Sequence, residues 1–258
     1  MIKFKSTVNE MKYINTQTLS AIVTLCLFSQ SAYSAIALDR TRVLYNEGER
    51  SVSMVLENEN ESKPYLAQSW LENSKDEKIN SPFVVTPPVQ RIEAGNKSQI
   101  KIQALPATNM LPTDRESIYY LNVREIPPRS DSPNVLQIAL QTKIKVFYRP
   151  KSIVAPSRLE ANPMEKDIVI EKQGANYNVK NPSPYYLTIT KVRKNNTEVK
   201  DFEAVMIEPF GQRPLGAKVG DLGITPAIEY LNDFGGLVEL TFQCRGDICS
   251  ANIKDKKA

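Results

Sequence analysis

Cys244 and Cys249 are spaced C-x4-C near the C-terminal end, and they are the first residues whose type and spacing could do chemistry. A zinc site built on such a pair needs a second pair of ligands. The chain has three cysteines and no histidine, and the third cysteine, Cys26, lies in an apolar N-terminal run. An even pair remaining in an exported chain favours one disulfide closing a tight loop. The lack of histidine also removes Ser-His and Cys-His nucleophile systems. A two-carboxylate hydrolase stays formally open, because Asp and Glu are plentiful. A carbohydrate-active enzyme would need two carboxylates facing across an aromatic-lined cleft, and this chain has one tryptophan and no visible carboxylate pair. No Gly-rich phosphate loop ending in Lys-Ser/Thr occurs. The residues therefore point to no catalytic group, no metal and no cofactor.

A second pattern offers binding chemistry. Between Val135 and Tyr148 the chain gives its longest strand signal, with Leu136, Ile138 and Leu140 on one face and Gln137, Ala139 and Gln141 on the other. Three large apolar side chains on an exposed edge strand are an aggregation hazard unless something is meant to bind them. Read from pattern alone, they equally suit the packing of this domain's own core.

The elements that must position these residues are strands. Apolar residues recur with period two, not 3.6. Leu38, Arg40, Arg42 and Leu44 share one face of a first strand. Val52, Met54 and Leu56 alternate next, and Tyr65 to Leu71 is a third strand with Trp70 expected against a facing sheet. Val84 and Val85 run into a rigid Thr86-Pro87-Pro88 corner. Ile92 to Ile102 turns at Gly95, and Ile118 to Ile126 stops at Pro127-Pro128. About seven strands between residues 37 and 149, spaced by turn signals, suggest an immunoglobulin-like sandwich. A second all-β set follows over 168–170, 177–179, 185–192, 205–207, 227–232 and 237–243. No short internal repeat is visible, which argues against a solenoid.

The N-terminus reads as a leader. Lys3, Lys5 and Lys12 precede an apolar run from Leu19 to Phe28, and Ala32 and Ser34 give a small-x-small exit. This predicts a secretory signal over 1–34, cleaved after Ser34, with Met11 as a second candidate start. The apolar run is too short to span a bilayer. Of 258 residues, 33 are Lys or Arg and 29 Asp or Glu; without the leader the net charge falls to +2. Neither that balance nor any basic cluster indicates nucleic acid. The expected organisation is a signal over 1–34, an N-terminal domain over 35–152 and a C-terminal β-sandwich over 153–258.

Several stretches resemble the PapD-like periplasmic pilus chaperone family. They are Ala35 to Arg42, Pro64 to Gln68, Thr86 to Arg91, Asp114 to Ser117, Arg124 to Pro128, Asn134 to Pro150, Asn181-Pro182, Asn232 to Gly236 and the cysteine pair. Their order over most of the chain makes the resemblance specific. It implies an all-β fold of two immunoglobulin-like domains in an L or boomerang with a cleft between them. It implies a periplasmic, non-enzymatic chaperone of the chaperone–usher pathway, whose partners are pilus subunits and an outer-membrane usher. Leu136, Ile138 and Leu140 would then be lent to a subunit that lacks its own last strand. Arg42 and Lys145 match the cleft pair that holds the subunit's C-terminal carboxylate. Lys145 is odd-numbered and the three apolar residues are even, so a straight strand would turn it to the opposite side. Glu116, Arg149 and Asp233 match an ion network bridging the two domains. The short stretch between Pro128 and Asn134 resembles the short-loop branch that serves rod-like pili. The alternative reading is a pilin or adhesin-type subunit. That would require an apolar N-terminal extension and a missing final strand, and neither pattern occurs here.

Overall fold

The structure, a computed structural model, describes residues 35–130, 134–154, 164–194 and 197–252. The leader expected over 1–34 lies outside the described residues, as do 131–133 in the short loop. No helix among the described residues is long and apolar enough to cross a membrane.

The first half supplies β1 (Ile36–Leu38), β2 (Arg42–Asn46), β3 (Ser51–Asn58), β4 (Tyr65–Glu72), β5 (Lys78–Ile79), β6 (Phe83–Thr86), β7 (Val89–Ile92), β8 (Lys97–Ala104), β9 (Ser117–Ile126) and β10 (Gln141–Arg149). One sheet runs β1-β3-β8-β6; the facing sheet runs β2-β10-β9-β4-β5, with β7 also on β4. Between them lies a core in which Tyr45, Phe83, Tyr119 and Tyr148 meet at ring-centroid distances of 5.1 to 6.3 Å.

Three local expectations change. The expected first strand is two. β1 pairs antiparallel with β3, whereas β2 pairs parallel with β10 in the other sheet. The chain must cross between layers at residues 39–41, which no continuous ladder permits; there the Asp39–Arg40 ion pair lies at the surface. Trp70 does not face the other sheet. Ala67, Ser69 and Leu71 take the inner positions of β4, so period two turns Trp70 outward. Its ring lies under Lys78 and Arg124, and its indole N–H donates to Glu72 at 2.8 Å. The third change concerns the long signal from 135 to 148: regular strand begins only at Gln141. The β9 ladder runs out at Arg124 opposite Gln141, with one further bond from the Glu125 amide to the Leu140 carbonyl at 3.0 Å. Beyond lie Pro127 and Pro128, which have no N–H to continue a ladder.

The second half supplies β11 (Val169–Gln173), β12 (Asn176–Asn181), β13 (Leu187–Lys194), β14 (Thr197–Glu198), β15 (Val205–Ile207), β16 (Gly211–Lys218), α1 (Val219–Leu222), β17 (Pro226–Leu231), β18 (Leu237–Arg245) and β19 (Ile248–Ala251). The ladder order is β14-β13-β17-β18-β19-β11-β12-β16, with β15 on β13. A second core gathers Tyr177, Leu187, Ile189, Ile228, Tyr230 and Phe242. The sequence reading passed over β16, because Pro214 and two glycines interrupt its alternation. Its place at the end of the ladder explains the exception: an edge strand tolerates proline, and Leu215 and Ala217 still point into the core.

Candidate functional site

Leu136, Ile138 and Leu140 are 85%, 65% and 38% exposed, with Val135 beside them at 52%. They do not pack the core of their own sandwich, the arrangement that pattern alone had left open. Inside β10 the even residues Ile144, Val146 and Tyr148 enter the core. The odd residues Lys145, Phe147 and Arg149 therefore occupy the outer face.

Backbone pairing adds a further property. On its β2 side, β10 is paired only from Lys145 onward, where Lys145 stands opposite Arg42. Residues 141–144 keep their β9 partners on one side, while β1, the strand before β2, belongs to the facing sheet. An apolar ribbon thus leads into a stretch of β10 with one edge unpaired among the described residues. That edge ends at two cations.

Arg42 is 9% exposed, and its guanidinium lies 5.6 Å from the Phe147 ring centroid. Its Nη1 donates to the carbonyl oxygens of Asn232 at 2.9 Å and Leu231 at 3.4 Å. Its Nε is buried with no hydrogen-bond partner among the described residues. Burial pulls the Arg42 guanidinium down from its ordinary value, although Asp233 and Glu116 push it up. Lys145 is half-buried beside it; burial and then the charge of Arg42 hold its ammonium below the usual lysine range. Two desolvated cations with an unsatisfied donor form a site where an anion would relieve both costs.

The second cluster joins the two sandwiches. Arg149 donates from Nε and Nη2 to Glu116 Oε1 at 2.9 and 2.7 Å, and from Nη1 and Nη2 to Asp233 Oδ2 and Oδ1 at 2.6 and 2.8 Å. The other oxygen of Glu116 accepts from the Tyr186 amide at 2.8 Å. Burial opposes the charge on Arg149, but its bonds to Asp233 and the charges of both acids outweigh it and keep the guanidinium protonated. Burial pushes the Glu116 carboxyl up, while Arg149 and the Tyr186 amide pull it back. Asp233 is presented by a turn in which Asn232 Oδ1 accepts the amides of Phe234 and Gly236 at 3.0 and 2.8 Å. Gly235 in that turn has φ +80°, and a Cβ there would fall 2.6 Å from Thr41 Oγ1. Glycine is required at this point both by conformation and by the close approach of the N-terminal sandwich.

The five charged positions are thereby brought together along β2, β10 and the 232–236 turn, with Glu116 joining through Arg149, while Leu136, Ile138 and Leu140 lie just before β10. Cys244 and Cys249 lie elsewhere. They face each other across the β18–β19 hairpin and are joined as a disulfide. Sequence reading missed three contacts of the joint: the Arg42 bonds to 231 and 232, the Phe147–Tyr186 ring pair at 5.7 Å, and the Gly235–Thr41 approach. The Asn232 to Gly236 motif was the available signal for two of them.

The chain matches two family models. Residues 35–154 match the Pili and flagellar-assembly chaperone, PapD N-terminal domain, and residues 163–242 match the Pili assembly chaperone PapD, C-terminal domain. It is 43% identical over 244 residues to the probable fimbrial chaperone YfcS of Escherichia coli strain K12, covering 93% of this chain and 96% of that one. It is 42% identical over 248 residues to the chaperone protein PapD of Escherichia coli, covering 95% of this chain and 100% of that one. Among solved structures, the periplasmic chaperone SfaE superposes with a TM-score of 0.64 at 31% identity, covering 80% of this chain and 98% of that one. The alternative reading as a structural pilus subunit gains no support from these likenesses.

Proposed function

The chain belongs to the PapD family of pili assembly chaperones, and from that premise we propose that it is a periplasmic, non-enzymatic chaperone that captures pilus subunits by lending them a strand. The reading rests on one observation above all. The exposed ribbon of Leu136, Ile138 and Leu140 leads along an unpaired edge of β10 to the adjacent cations Arg42 and Lys145.

An incomplete subunit sheet would pair with the ribbon's backbone, as in strand addition generally. The three side chains would fill the groove left by its missing strand. Burying each contributes roughly 1.5–3 kcal/mol as an upper estimate. Apolar alternation alone leaves a strand free to slip by two residues, so a fixed end is needed to set register. The subunit's C-terminal carboxylate between Arg42 and Lys145 provides it, through charge-assisted bonds in a partly dry site. The Glu116–Arg149–Asp233 network holds the two domains at the angle that shapes this cleft. Buried ion pairs of this kind specify geometry more than they add stability. The captured subunit would pass to an outer-membrane usher, with release by strand exchange with the next subunit. Two domains, 35–152 and 153–258, would carry out this function after a leader over 1–34.

Co-expression in the periplasm with a pilus subunit from the same operon tests the reading. The expected result is a one-to-one complex in which the subunit resists proteolysis. A subunit that stays equally soluble and protease-resistant without the chaperone would defeat it.

A further inference from the structure

The side chain of Glu125 has no part in the carboxylate site or the ion network described above. It lies in β9, is 5% exposed, and accepts the backbone nitrogen of Ala35 at 2.6 Å and that of Ile36 at 3.1 Å, from residues 90 and 89 positions away. A buried carboxylate aimed at the backbone nitrogen of Ala35 is notable because Ser34–Ala35 is the bond at which the sequence places leader cleavage. We propose that Glu125 is a built-in receptor for the new N-terminus: once the leader is removed, the Ala35 nitrogen is an α-ammonium seated on this carboxylate.

The chemistry balances simply. A leader peptidase adds water across the Ser34–Ala35 peptide bond. The hydroxyl goes to the Ser34 carbonyl carbon and a proton to the Ala35 nitrogen. At neutral pH the released acid gives up its proton and the amine is protonated, since an α-amino group ordinarily titrates near 7.7–8.0. An amide N–H facing Glu125 thus becomes a cation facing an anion, and the 2.6 Å contact becomes a charge-assisted bond. The Ala35 carbonyl already accepts the Glu59 amide at 2.8 Å, and β1 is already paired with β3.

The position of the receptor gives the ion pair leverage. Ala35 leads into the sheet that contains β1, whereas Glu125 belongs to the facing sheet, so the pair fastens the two layers at one end. The backbone amide of the same Glu125 donates to the Leu140 carbonyl at 3.0 Å, at the root of the apolar ribbon. One residue therefore holds the processed terminus with its side chain and the ribbon with its main chain.

The test is acylation of the α-amine by an amine-reactive ester near neutral pH, followed by intact mass and peptide mapping of the exported, processed protein. The mapped first residue is expected to be Ala35, and its amine should react at least tenfold more slowly than in Glu125→Gln, since raising an amine's pKa by one unit lowers its reactive fraction tenfold. A second form carrying one extra glycine before Ala35 keeps Glu125 and moves the amine beyond the receptor. Its new amine should react at the rate of an ordinary peptide amine, and its thermal midpoint should fall. If Glu125→Gln does not fold, the comparison of processed and glycine-extended forms decides alone. A mature chain starting elsewhere overturns the proposal. So does equal acylation of the amine in the processed and glycine-extended forms.

Discussion

Lys145 stands directly opposite Arg42 in the parallel ladder between β10 and β2. Two like charges held side by side and partly out of water work against the free protein. Burial first, and then the Arg42 charge, hold the Lys145 ammonium below the ordinary lysine value of 10.5. An amine whose folded value is depressed weakens the fold wherever it is charged; that cost fades as pH rises through the depressed value towards the unfolded one. Lys145→Met should therefore raise the thermal midpoint of the free protein at pH 7, by a margin that narrows on approach to pH 10.5. The same substitution should abolish subunit capture. Calorimetry across pH, paired with pull-down of a co-expressed subunit, reads both effects. A lower midpoint at pH 7 would contradict the account of the pair.

Arg42→Ala should lose capture while the chain stays folded, because the guanidinium gives up two carbonyl bonds at the domain joint and, among the described residues, no ion pair. A lost hydrogen bond to a charged group costs about 1.5–3 kcal/mol, so affinity for the subunit should drop roughly 10- to 150-fold. Circular dichroism checks the fold and titration calorimetry the affinity. Unchanged affinity in either Arg42→Ala or Lys145→Met would remove the carboxylate anchor from the mechanism.

Polar replacement of the ribbon should separate binding from stability. Leu136→Ser and Ile138→Ser alter side chains that are 85% and 65% exposed. The stability of the free protein should change by no more than about 0.5 kcal/mol, as for other surface changes. Subunit affinity should fall about tenfold or more for each, from the lost burial. A large drop in the midpoint of the free protein would mean that the ribbon packs at home.

Arg149→Met should be the most damaging single change at the joint. It strands Glu116, whose side chain is 3% exposed, and Asp233 at 20%. Removing one partner of a buried ion pair costs about 3–5 kcal/mol. Adding Glu116→Gln to Arg149→Met should recover part of that loss, because the uncompensated buried charge goes with it. Urea denaturation of the two single variants and the double gives the coupling; strict additivity would argue that the three groups do not act as a unit.

Replacing Cys244 and Cys249 by alanine should cost about 2 kcal/mol or less, since the bridge closes a loop with a sequence separation of only 5. Subunit capture should persist, because the hairpin lies away from Arg42 and Lys145. Denaturant unfolding in the presence and absence of reductant reads the cost.

Composition and period two were enough to establish an all-β chain, because strand alternation is a local property that each residue writes by itself. Histidine-free composition excluded whole classes of catalysis on the same local terms, and the even cysteine pair foretold the disulfide. The resemblance carried by motifs such as Asn134 to Pro150 and Asn232 to Gly236 singled out the charged positions. Local pattern gave no means of telling which layer a strand joins. Leu38 and Arg42 read as one strand, yet they lie in opposite sheets, because Leu38 pairs with Leu56 while Arg42 pairs with Lys145, far along the chain. Exposure of Leu136, Ile138 and Leu140 was undecidable from alternation, which looks the same for a core strand and an open edge. The end of the β9 ladder and the late arrival of β2 decided it. The odd-numbered place of Lys145 is resolved in the same way. Within β10 the core claims the even residues, so the outer face is where Lys145, Phe147 and Arg149 meet Arg42 and the second domain. The sequence by itself determined which chemical groups exist and their alternation along the chain. Only the tertiary structure decided which of them lose water together, because desolvation and charge proximity are set by neighbours distant in sequence.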